Sequence, residues 1–297
     1  MKPASLVLAK FTRKRLLPRL PVSQKQKLLA ERRLRGKEDY SKLSLSDVII
    51  VSHEKSGRTW LRVMLSRFYQ QRYHLPENKL LNFDRLHRLE PRVPVVFFTH
   101  DRHLGYYTGN WDNEELYRLT PTILLVRDPR DVAVSFYFDW KYRMSGHSRR
   151  LYSLPLDDMP IHEFMMQPES GLPAVIDFMN RWHDRLERMH NLNMFRYEDL
   201  RTDTVTGLKQ ILHILGAEPE QQEIEDVVAY AEFEKMKKRE QSGQTRDSRI
   251  CATDPSNPDS FKARRAKVGG YRDYFNDEQI REIDALVAET LSPGYGY

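Results

Sequence analysis

Several features are scarce or missing in this chain. Cys251 is the only cysteine among 297 residues, which excludes an intramolecular disulfide and a cysteine-rich metal site. No apolar run approaches the roughly 18 residues that span a bilayer. The first residues also lack the apolar core and the small-residue cleavage site of a signal peptide. The single cysteine favours a reducing, cytoplasmic setting. The nine histidines other than His100 show no metal-ligand spacing such as His-x-x-x-His, so we expect no metal site.

Acidic residues are scarce near the start of the chain. Thirteen cations and three acids give residues 1–46 a net charge of +10, and because the whole chain carries +6, residues 47–297 carry −4. We therefore divide the chain into a basic N-terminal extension (residues 1–46) and a domain (residues 47–297) that we do not expect to bind nucleic acid.

The basic extension has two interpretations. A run of charge is usually solvated, so a solvated or partly disordered extension is one expectation. The other is a surface that meets an acidic membrane or a polyanionic substrate. This second interpretation rests on apolar residues interleaved with the cations, namely Leu6, Val7, Leu8, Phe11, Leu16 and Leu17.

Strands and helices alternate along the domain. Short, mostly apolar runs predict strands at residues 47–52, 93–99, 122–127 and 193–197. Helical spacing occurs at residues 58–73, 129–143, 172–190, 204–215, 219–239 and 276–291. The alternation predicts a single α/β domain with a central parallel β-sheet flanked by helices, and a site just after Val51, Thr99 and Val126. Two long polar segments, residues 141–171 and 240–263, are predicted to be lids.

The first strand runs into a small basic turn, Ser52-His-Glu-Lys-Ser-Gly-Arg-Thr-Trp60. The unpaired N–H groups and the dipole of a helix N-terminus favour an anion at such a turn. Lys55 adds a cation, and Ser56 and Thr59 add hydroxyl donors. The turn is not a Walker A loop, because its lysine precedes its only glycine and Trp60 stands where a magnesium-binding hydroxyl is expected. It predicts an anion site and argues against ATP.

A second junction between strand and helix lies at residues 123–135. Asp128 fits a helix N-cap and Pro129 fits the first helical position. Arg127 at the strand end and Ser135 two turns into the helix suit a phosphate monoester. A purely structural Arg–Asp pair is the alternative.

Residues 262–275 form a third basic segment, in which four cations precede Gly269 and Gly270. We interpret it as a flap that closes over a polyanion. A solvated charged face is the alternative interpretation.

His100 follows the predicted strand at residues 93–99. A lone histidine is more often structural, but this one lies at the ligand-binding edge of the sheet, opposite the Lys55 turn. We therefore interpret it as functional. Asp101 beside it is expected to orient the imidazole or to raise its pKa.

Five segments in the same order resemble the cytosolic-type sulfotransferases. Lys55-Ser-Gly-Arg-Thr-Trp60 is similar to their 5′-phosphosulfate loop, and Arg127-Asp-Pro-Arg-Asp-Val-Ala-Val-Ser135 resembles their 3′-phosphate motif. The other three segments are Arg196-Tyr-Glu-Asp-Leu200, Glu232-Phe-Glu-Lys-Met236 and the flap Arg264-Arg-Ala-Lys-Val-Gly-Gly-Tyr-Arg-Asp-Tyr-Phe275. Together they span roughly residues 47–290.

The resemblance implies a P-loop-NTPase-like sulfotransferase fold and 3′-phosphoadenosine-5′-phosphosulfate (PAPS) as donor, without a metal. It implies His100 as the catalytic base and Lys55 as the cation that stabilises the leaving phosphate. The implied donor-binding residues are Lys55, Ser56, Gly57, Arg58, Thr59, Trp60, Arg127, Ser135, Tyr197, Phe233, Arg264, Arg265 and Ala266. The acceptor would be a hydroxyl or amine on a small molecule, a glycan or a lipid-linked compound.

The chain departs from the family pattern at several positions. Glu54 replaces a proline, Arg58 a threonine, Phe98 a lysine near the sulfate, and Tyr271 a tryptophan of the flap. The family's dimerisation motif is not kept, so we do not predict that dimer. Two alternatives stay open: a P-loop nucleotide kinase or NTPase, and a non-catalytic module that binds a nucleotide or polyanion.

Overall fold

A computed structural model describes residues 4–242, 251, 253, 254, 256–262 and 264–297. Its strands are β1 (Val48–Ser52), β2 (Val96–Thr99), β3 (Thr122–Val126) and β4 (Leu192–Arg196). Its α-helices are α1 (Ala4–Phe11), α2 (Gln24–Leu43), α3 (Arg58–Arg72), α4 (Leu104–Thr108), α5 (Pro129–Tyr142), α6 (Gly146–Leu151), α7 (Ile161–Met165), α8 (Leu172–Leu186), α9 (Tyr197–Thr202), α10 (Thr204–Ile214), α11 (Gln221–Tyr230), α12 (Phe233–Ser242) and α13 (Asp277–Thr290).

The four strands form one parallel sheet in the order β2-β1-β3-β4. All residues of β1 and β3 are buried, as expected for central strands covered on both faces. Val51 of β1 is in register with Thr99 of β2 and Leu124 of β3, so the carboxyl ends of these strands meet at one edge. The prediction of a single α/β domain with a parallel central sheet is confirmed.

Helices cover both faces of the sheet. On one face Val51 and Val126 share a core with α5 and α8, whose Phe136 and Trp182 are fully buried. On the other face Ile50 and Leu125 pack with α3, α10 and α11. Asp128 caps α5 by accepting a hydrogen bond from the Arg130 N–H, and Pro129 occupies the first turn, where its missing N–H costs nothing. The strand ends are thereby held between two packed layers.

The helix predicted at residues 219–239 is two helices, α11 and α12, so that prediction is wrong in its continuity. The break falls at Ala231, which is buried and whose carbonyl accepts a hydrogen bond from Nε1 of Trp60 at 2.9 Å. Because the Trp60 indole donates to the Ala231 carbonyl, this carbonyl needs no N–H donor from a further helical turn, and α11 can end here.

The segment at residues 141–171 is not a lid. It contains α6 and α7, and Phe164 and Met165 of α7 are fully buried in the core beside α5. The Trp140 indole donates to the Pro155 carbonyl at 2.9 Å, which ties the connecting loop down. Of the second predicted lid, residues 243–250, 252, 255 and 263 lie outside the described residues, and Glu240, Ser260 and Phe261 are buried.

Residues 4–19 and 24–43 are helical, so the expectation of a partly disordered extension is wrong there. The expectation of solvation is wrong for two of the interleaved apolar side chains, whereas the other four are exposed. Leu6 and Leu17 are buried, and Arg13 pairs with Glu38 of α2 at 2.6 Å. Helix α2 packs in turn against α4. Among the described residues, no helix is both long and apolar enough to cross a bilayer.

Candidate active site

Two cavities meet at the carboxyl edge of the sheet. The first, of about 460 Å³, lies over the turn between β1 and α3. The second, of about 390 Å³, is lined by residues that follow β2, from His100 to His103. Glu54 and His100 line both cavities. The position that sequence reasoning assigned to His100 is therefore the boundary between two spaces.

The turn before α3 has a backbone that only a few residues can adopt. Gly57 has φ +93°, and a Cβ placed on it would lie 2.5 Å from Cδ2 of Tyr197. Glycine is required here both for the left-handed conformation and for the close approach of the ring. Lys55 also has a positive φ, 70°, which is uncommon for a residue with a side chain. The strained turn brings Lys55, Arg58 and Thr59 to the first cavity.

Lys55 is held by a carboxylate that sequence reasoning missed. Its Nζ lies 3.2 Å from Oδ1 of Asp139, and Arg143 reaches the same oxygen at 3.3 Å. Asp139 lies on α5, one turn beyond Ser135, and both line the first cavity. The Lys55 ammonium is therefore placed at the cavity by an ion pair as well as by its backbone.

Arg127 connects three parts of the chain. Its guanidinium donates to the carbonyls of Lys55 (3.4 Å) and Lys267 (3.2 Å) and pairs with Asp131 at 3.3 Å. Asp131 also accepts the Gly269 N–H at 2.9 Å. The structural Arg–Asp pair thus exists, and it ties the basic flap to the β3–α5 junction while Arg127 still lines the first cavity.

Aromatic rings form one wall of the first cavity. Trp60 and Tyr197 meet edge to face with their centroids 5.8 Å apart, and Phe233 lines the same space. Arg127 lies 4.6 Å from the Tyr197 ring and Arg201 lies 5.6 Å from the Trp60 ring. Cations over ring faces are favourable, so the wall combines flat apolar surface with positive charge.

His100 is oriented by the backbone of β1. Its Nδ1 lies 2.7 Å from the Ser52 carbonyl, and since a carbonyl only accepts, Nδ1 carries the proton. Nε2 therefore keeps its lone pair, and it contacts the Arg58 guanidinium. Burial lowers the pKa of His100 well below its ordinary value, and the charge of Arg58 lowers it further. The imidazole is thus a neutral acceptor at neutral pH.

The expected role of Asp101 is wrong. Its carboxylate accepts from the Tyr117 hydroxyl at 2.8 Å and pairs with Arg185 at 3.4 Å, so it neither orients His100 nor raises its pKa. Both residues lie beyond the end of β2, and Asp101 has a positive φ of 51°, so the chain turns there and adjacent side chains need not meet.

Glu54, which departs from the family pattern, is held by Arg102 at 2.9 Å. Burial by itself would raise the pKa of Glu54, but Arg102 offsets this and holds that pKa well below its usual range. Phe98, another departure, packs under the guanidinium of Arg62 at 4.1 Å from its ring. Glu54 and Phe98 therefore each have a cationic neighbour.

Most of the predicted donor-binding residues line the first cavity. They are Lys55, Gly57, Arg58, Thr59, Trp60, Arg127, Ser135, Tyr197, Phe233 and Ala266, together with His100. The others do not line it. Ser56 is buried. Arg264 lies 3.8 Å from the Phe138 ring, and Arg265 is exposed and pairs with Asp273 at 2.5 Å. Both arginines also donate to the Tyr274 hydroxyl of the flap, a pairing that the run of basic residues did not reveal.

Several residues of the first cavity were missed. They are Asp139, Arg201, Tyr230, Arg239 and Glu240. Lys262, noted only as part of the basic flap, also lines it, and burial together with the charge of Lys55 lowers the pKa of Lys262 to about 8. No local pattern marks these residues, because they come from separate helices and from the flap.

The second cavity was not predicted from any motif. Aromatic side chains line it, including Tyr106, Trp111, Phe136, Tyr152 and Phe178. Polar side chains line it as well, including Arg102, His103, Ser170, Asp177 and Arg181. In the part of the chain that the structure describes, no group of three or more His, Cys, Asp or Glu side chains could hold a metal ion.

Comparisons with known proteins agree on the family. The sulfotransferase domain family matches residues 45–293. A flavonol 4′-sulfotransferase of Flaveria chlorifolia is 24% identical over 83% of this chain and 79% of its own length. An amine sulfotransferase of Oryctolagus cuniculus is 22% identical over 90% of this chain and 87% of its own.

Solved structures show the same fold. A mouse sulfotransferase complexed with PAP superposes with a TM-score of 0.57, covering 86% of this chain and 90% of that chain at 20% identity. The family match covers most of this chain, and the parallel sheet with the turn after β1 is present. This chain therefore belongs to the sulfotransferase family.

Proposed function

We propose that this protein transfers the sulfuryl group of PAPS to a hydroxyl or amine of a small-molecule acceptor. The donor would occupy the first cavity and the acceptor the second. One observation carries the proposal: His100, a neutral imidazole whose accepting nitrogen is Nε2, lines both cavities. A base that accepts a proton from the acceptor while the donor loses its sulfuryl group must lie between the two cavities.

The chemistry of the first cavity supports a nucleotide with several anionic groups. Six cations line it, namely Lys55, Arg58, Arg127, Arg201, Arg239 and Lys262. Trp60, Tyr197 and Phe233 provide flat surfaces on which an adenine base can stack. PAP, the nucleotide in the mouse neighbour's complex, is what remains of PAPS after loss of its sulfuryl group. These features support PAPS as donor.

His100 and Lys55 would divide the work of the transfer. Arg58 moves off His100 Nε2, and this nitrogen takes the proton of the acceptor while the acceptor atom forms its bond to sulfur. Lys55 leaves Asp139 and balances the charge that develops on the 5′-phosphate oxygen as its bond to sulfur breaks. Such transfers depend mainly on positioning and on charge stabilisation, and both residues act without a metal.

The second cavity supports an acceptor that combines an apolar, flat part with polar groups. Its aromatic walls and its ion pairs, such as Arg181 with Asp177 at 3.2 Å, surround one space. The relatives above are named for flavonols and amines, which are small molecules of this kind. We propose a small-molecule acceptor of this kind. We also propose that the protein is a cytoplasmic enzyme and that residues 47–297 are its catalytic domain. Glycans and lipid-linked compounds are further candidates for an acceptor screen.

The donor site is tested by calorimetry with 3′-phosphoadenosine-5′-phosphate (PAP). We expect tight binding that needs no Mg²⁺, and a loss of about 10- to 100-fold in Arg127→Ala, because hydrogen bonds to charged groups contribute about 1.5–3 kcal/mol. Arg127→Lys keeps the charge but not the planar fork and should fall between. Arg281→Ala, an exposed arginine on α13, is the matched control and should bind PAP like the wild type.

ATP with Mg²⁺ separates the proposal from its rival. Binding and hydrolysis of ATP without binding of PAP would contradict a sulfotransferase and support a nucleotide kinase. Tight PAP binding would justify a screen of acceptors with His100→Ala as the blank. Intact PAP binding with no transfer to any acceptor would support the non-catalytic module instead.

A further inference from the structure

Helix α1 is apolar on two opposite faces. Leu6 and Ala9 point inward and are buried. Val7, Leu8 and Phe11 are exposed, with Leu8 at 59% and Phe11 at 52% of their full accessible surface. At about 100° per residue, these three fall on an arc of roughly 100° directly opposite the buried stripe. A helix on the surface of a globular protein normally turns a polar face outward.

The exposed apolar surface continues after α1. Leu16, Leu20 and Val22 are also exposed, so residues 7–22 present six large apolar side chains outward. We name these residues (Val7, Leu8, Phe11, Leu16, Leu20 and Val22) the N-terminal apolar patch. Several large apolar side chains exposed on neighbouring segments of a soluble protein indicate an interaction site.

Positive charge surrounds this patch. Residues 1–30 contain eight Lys or Arg and no acid, because the first acidic residue of the chain is Glu31. Lys14, Arg15 and Lys25 are exposed, and among the described residues none of the three forms an ion pair with a carboxylate. Arg13 behaves differently, since it turns inward to Glu38. The cations that face outward are therefore available to an external anion.

We propose that the N-terminal apolar patch and its cations dock on an anionic lipid bilayer, with α1 lying in the plane of the interface. An apolar face flanked by Lys and Arg has the composition of interfacial helices, which bury their apolar side by a few ångströms and attract anionic headgroups. A soluble polyanion would use the cations but would leave six apolar side chains in water. A second copy of the chain would bring the same positive charges together.

Docking would place the second cavity close to the bilayer. Helix α1 packs on α2, and α2 packs on α4. Arg32 of α2 donates to the Leu151 carbonyl at 2.8 Å and lies 5.3 Å from the Tyr106 ring. Both Leu151 and Tyr106 line the second cavity. With helix axes about 8–10 Å apart, that cavity is roughly 20 Å from the docked face.

Vesicle co-sedimentation tests the proposal with the full chain at 0.15 M salt. We expect binding to vesicles of phosphatidylcholine with phosphatidylserine, and at least ten-fold weaker binding to phosphatidylcholine alone. Leu8→Glu/Phe11→Glu should weaken binding by about a hundred-fold, since it removes two apolar side chains that docking would bury in the bilayer. Lys14→Glu/Arg15→Glu replaces only exposed side chains and should weaken it by ten-fold or more, because each cation near the surface contributes about five-fold.

Matched controls carry the same substitutions elsewhere. Leu119→Glu changes a leucine that is 95% exposed, and Lys209→Glu changes an exposed lysine on α10. Both should bind vesicles like the wild type, and thermal melting should show all variants folded. Equal binding of wild type and both double variants would overturn the proposal. So would heparin binding without vesicle binding, or a dimer in solution that Leu8→Glu/Phe11→Glu dissociates.

Discussion

At the scale of single residues, the positive charge near the site lies at position 58 and not at position 98. The family pattern has a lysine at position 98 and an uncharged threonine at position 58. Phe98 brings no charge to the end of β2, whereas Arg58, in the first turn of α3, brings a guanidinium to Nε2 of His100. Charge near a base lowers its pKa when the sign is the same as that of the protonated form. Arg58 therefore tunes the proposed base directly.

Replacement of Arg58 by the family's threonine should raise the pKa of His100. Burial, the larger cause of the lowered pKa, remains in Arg58→Thr, so the return toward the ordinary value is partial. NMR titration of the imidazole signals, assigned with His100→Gln, measures this without an acceptor. Arg67→Thr, further along the same helix, is the control and should leave the His100 titration unchanged. An unchanged titration in Arg58→Thr would contradict the tuning.

At the scale of secondary-structure elements, the contact between α2 and α4 joins the N-terminal segment to the domain. Gly36 of α2 lies against α4, and a Cβ placed on it would lie 2.3 Å from the His103 carbonyl oxygen. Backbone atoms cannot move aside as side chains do. The close approach of the two helices therefore depends on glycine at this position.

Gly36→Ala should destabilise the protein by about 1–3 kcal/mol, the usual cost of overpacking. Urea unfolding followed by circular dichroism measures the loss. Gly146→Ala is the matched control, because a Cβ there would meet nothing closer than 3.7 Å, and alanine is favoured over glycine in a helix. Equal free energies of unfolding for the two variants would show that α2 and α4 can move apart without loss of stability.

At the scale of the whole molecule, the structure keeps several histidines neutral. Burial lowers the pKa of His53, and it lowers the pKa of His103 to about 3, with further lowering by nearby arginines. His100 shifts in the same direction. In the unfolded chain each would titrate near 6.5. Below that pH the unfolded state binds more protons than the folded state, so stability falls as the pH falls.

We expect the free energy of unfolding to decrease between pH 7 and pH 5. Below about pH 6.5 a histidine whose pKa in the folded state is far below 5, such as His103, contributes a loss approaching about 1.4 kcal/mol per pH unit. Urea unfolding at both pH values measures it. His103→Gln should show a smaller loss, whereas His190→Gln, which changes an exposed histidine, should match the wild type. Equal stability of the wild type at pH 7 and pH 5 would contradict the prediction.

Local patterns predicted the parts of the fold that depend on neighbours in sequence. Asp128 and Pro129 predicted the start of α5, because capping and a fixed φ act within one turn. The apolar runs predicted all four strands to within three residues at each end. The prediction of a lid at residues 141–171 was wrong, because the burial of Phe164 and Met165 depends on packing against residues distant in the sequence.

The sequence by itself determined the family, the parallel sheet and the turn of Lys55 and Gly57, since strand burial, turn geometry and helix starts are encoded within a few consecutive residues. Only the tertiary structure decided that Asp139 holds Lys55, that Ser52 rather than Asp101 orients His100, and that two cavities meet there. It also decided that the N-terminal segment folds into helices with an apolar outer face. These features join residues far apart in the chain, and their contacts form only when the packed layers bring them together.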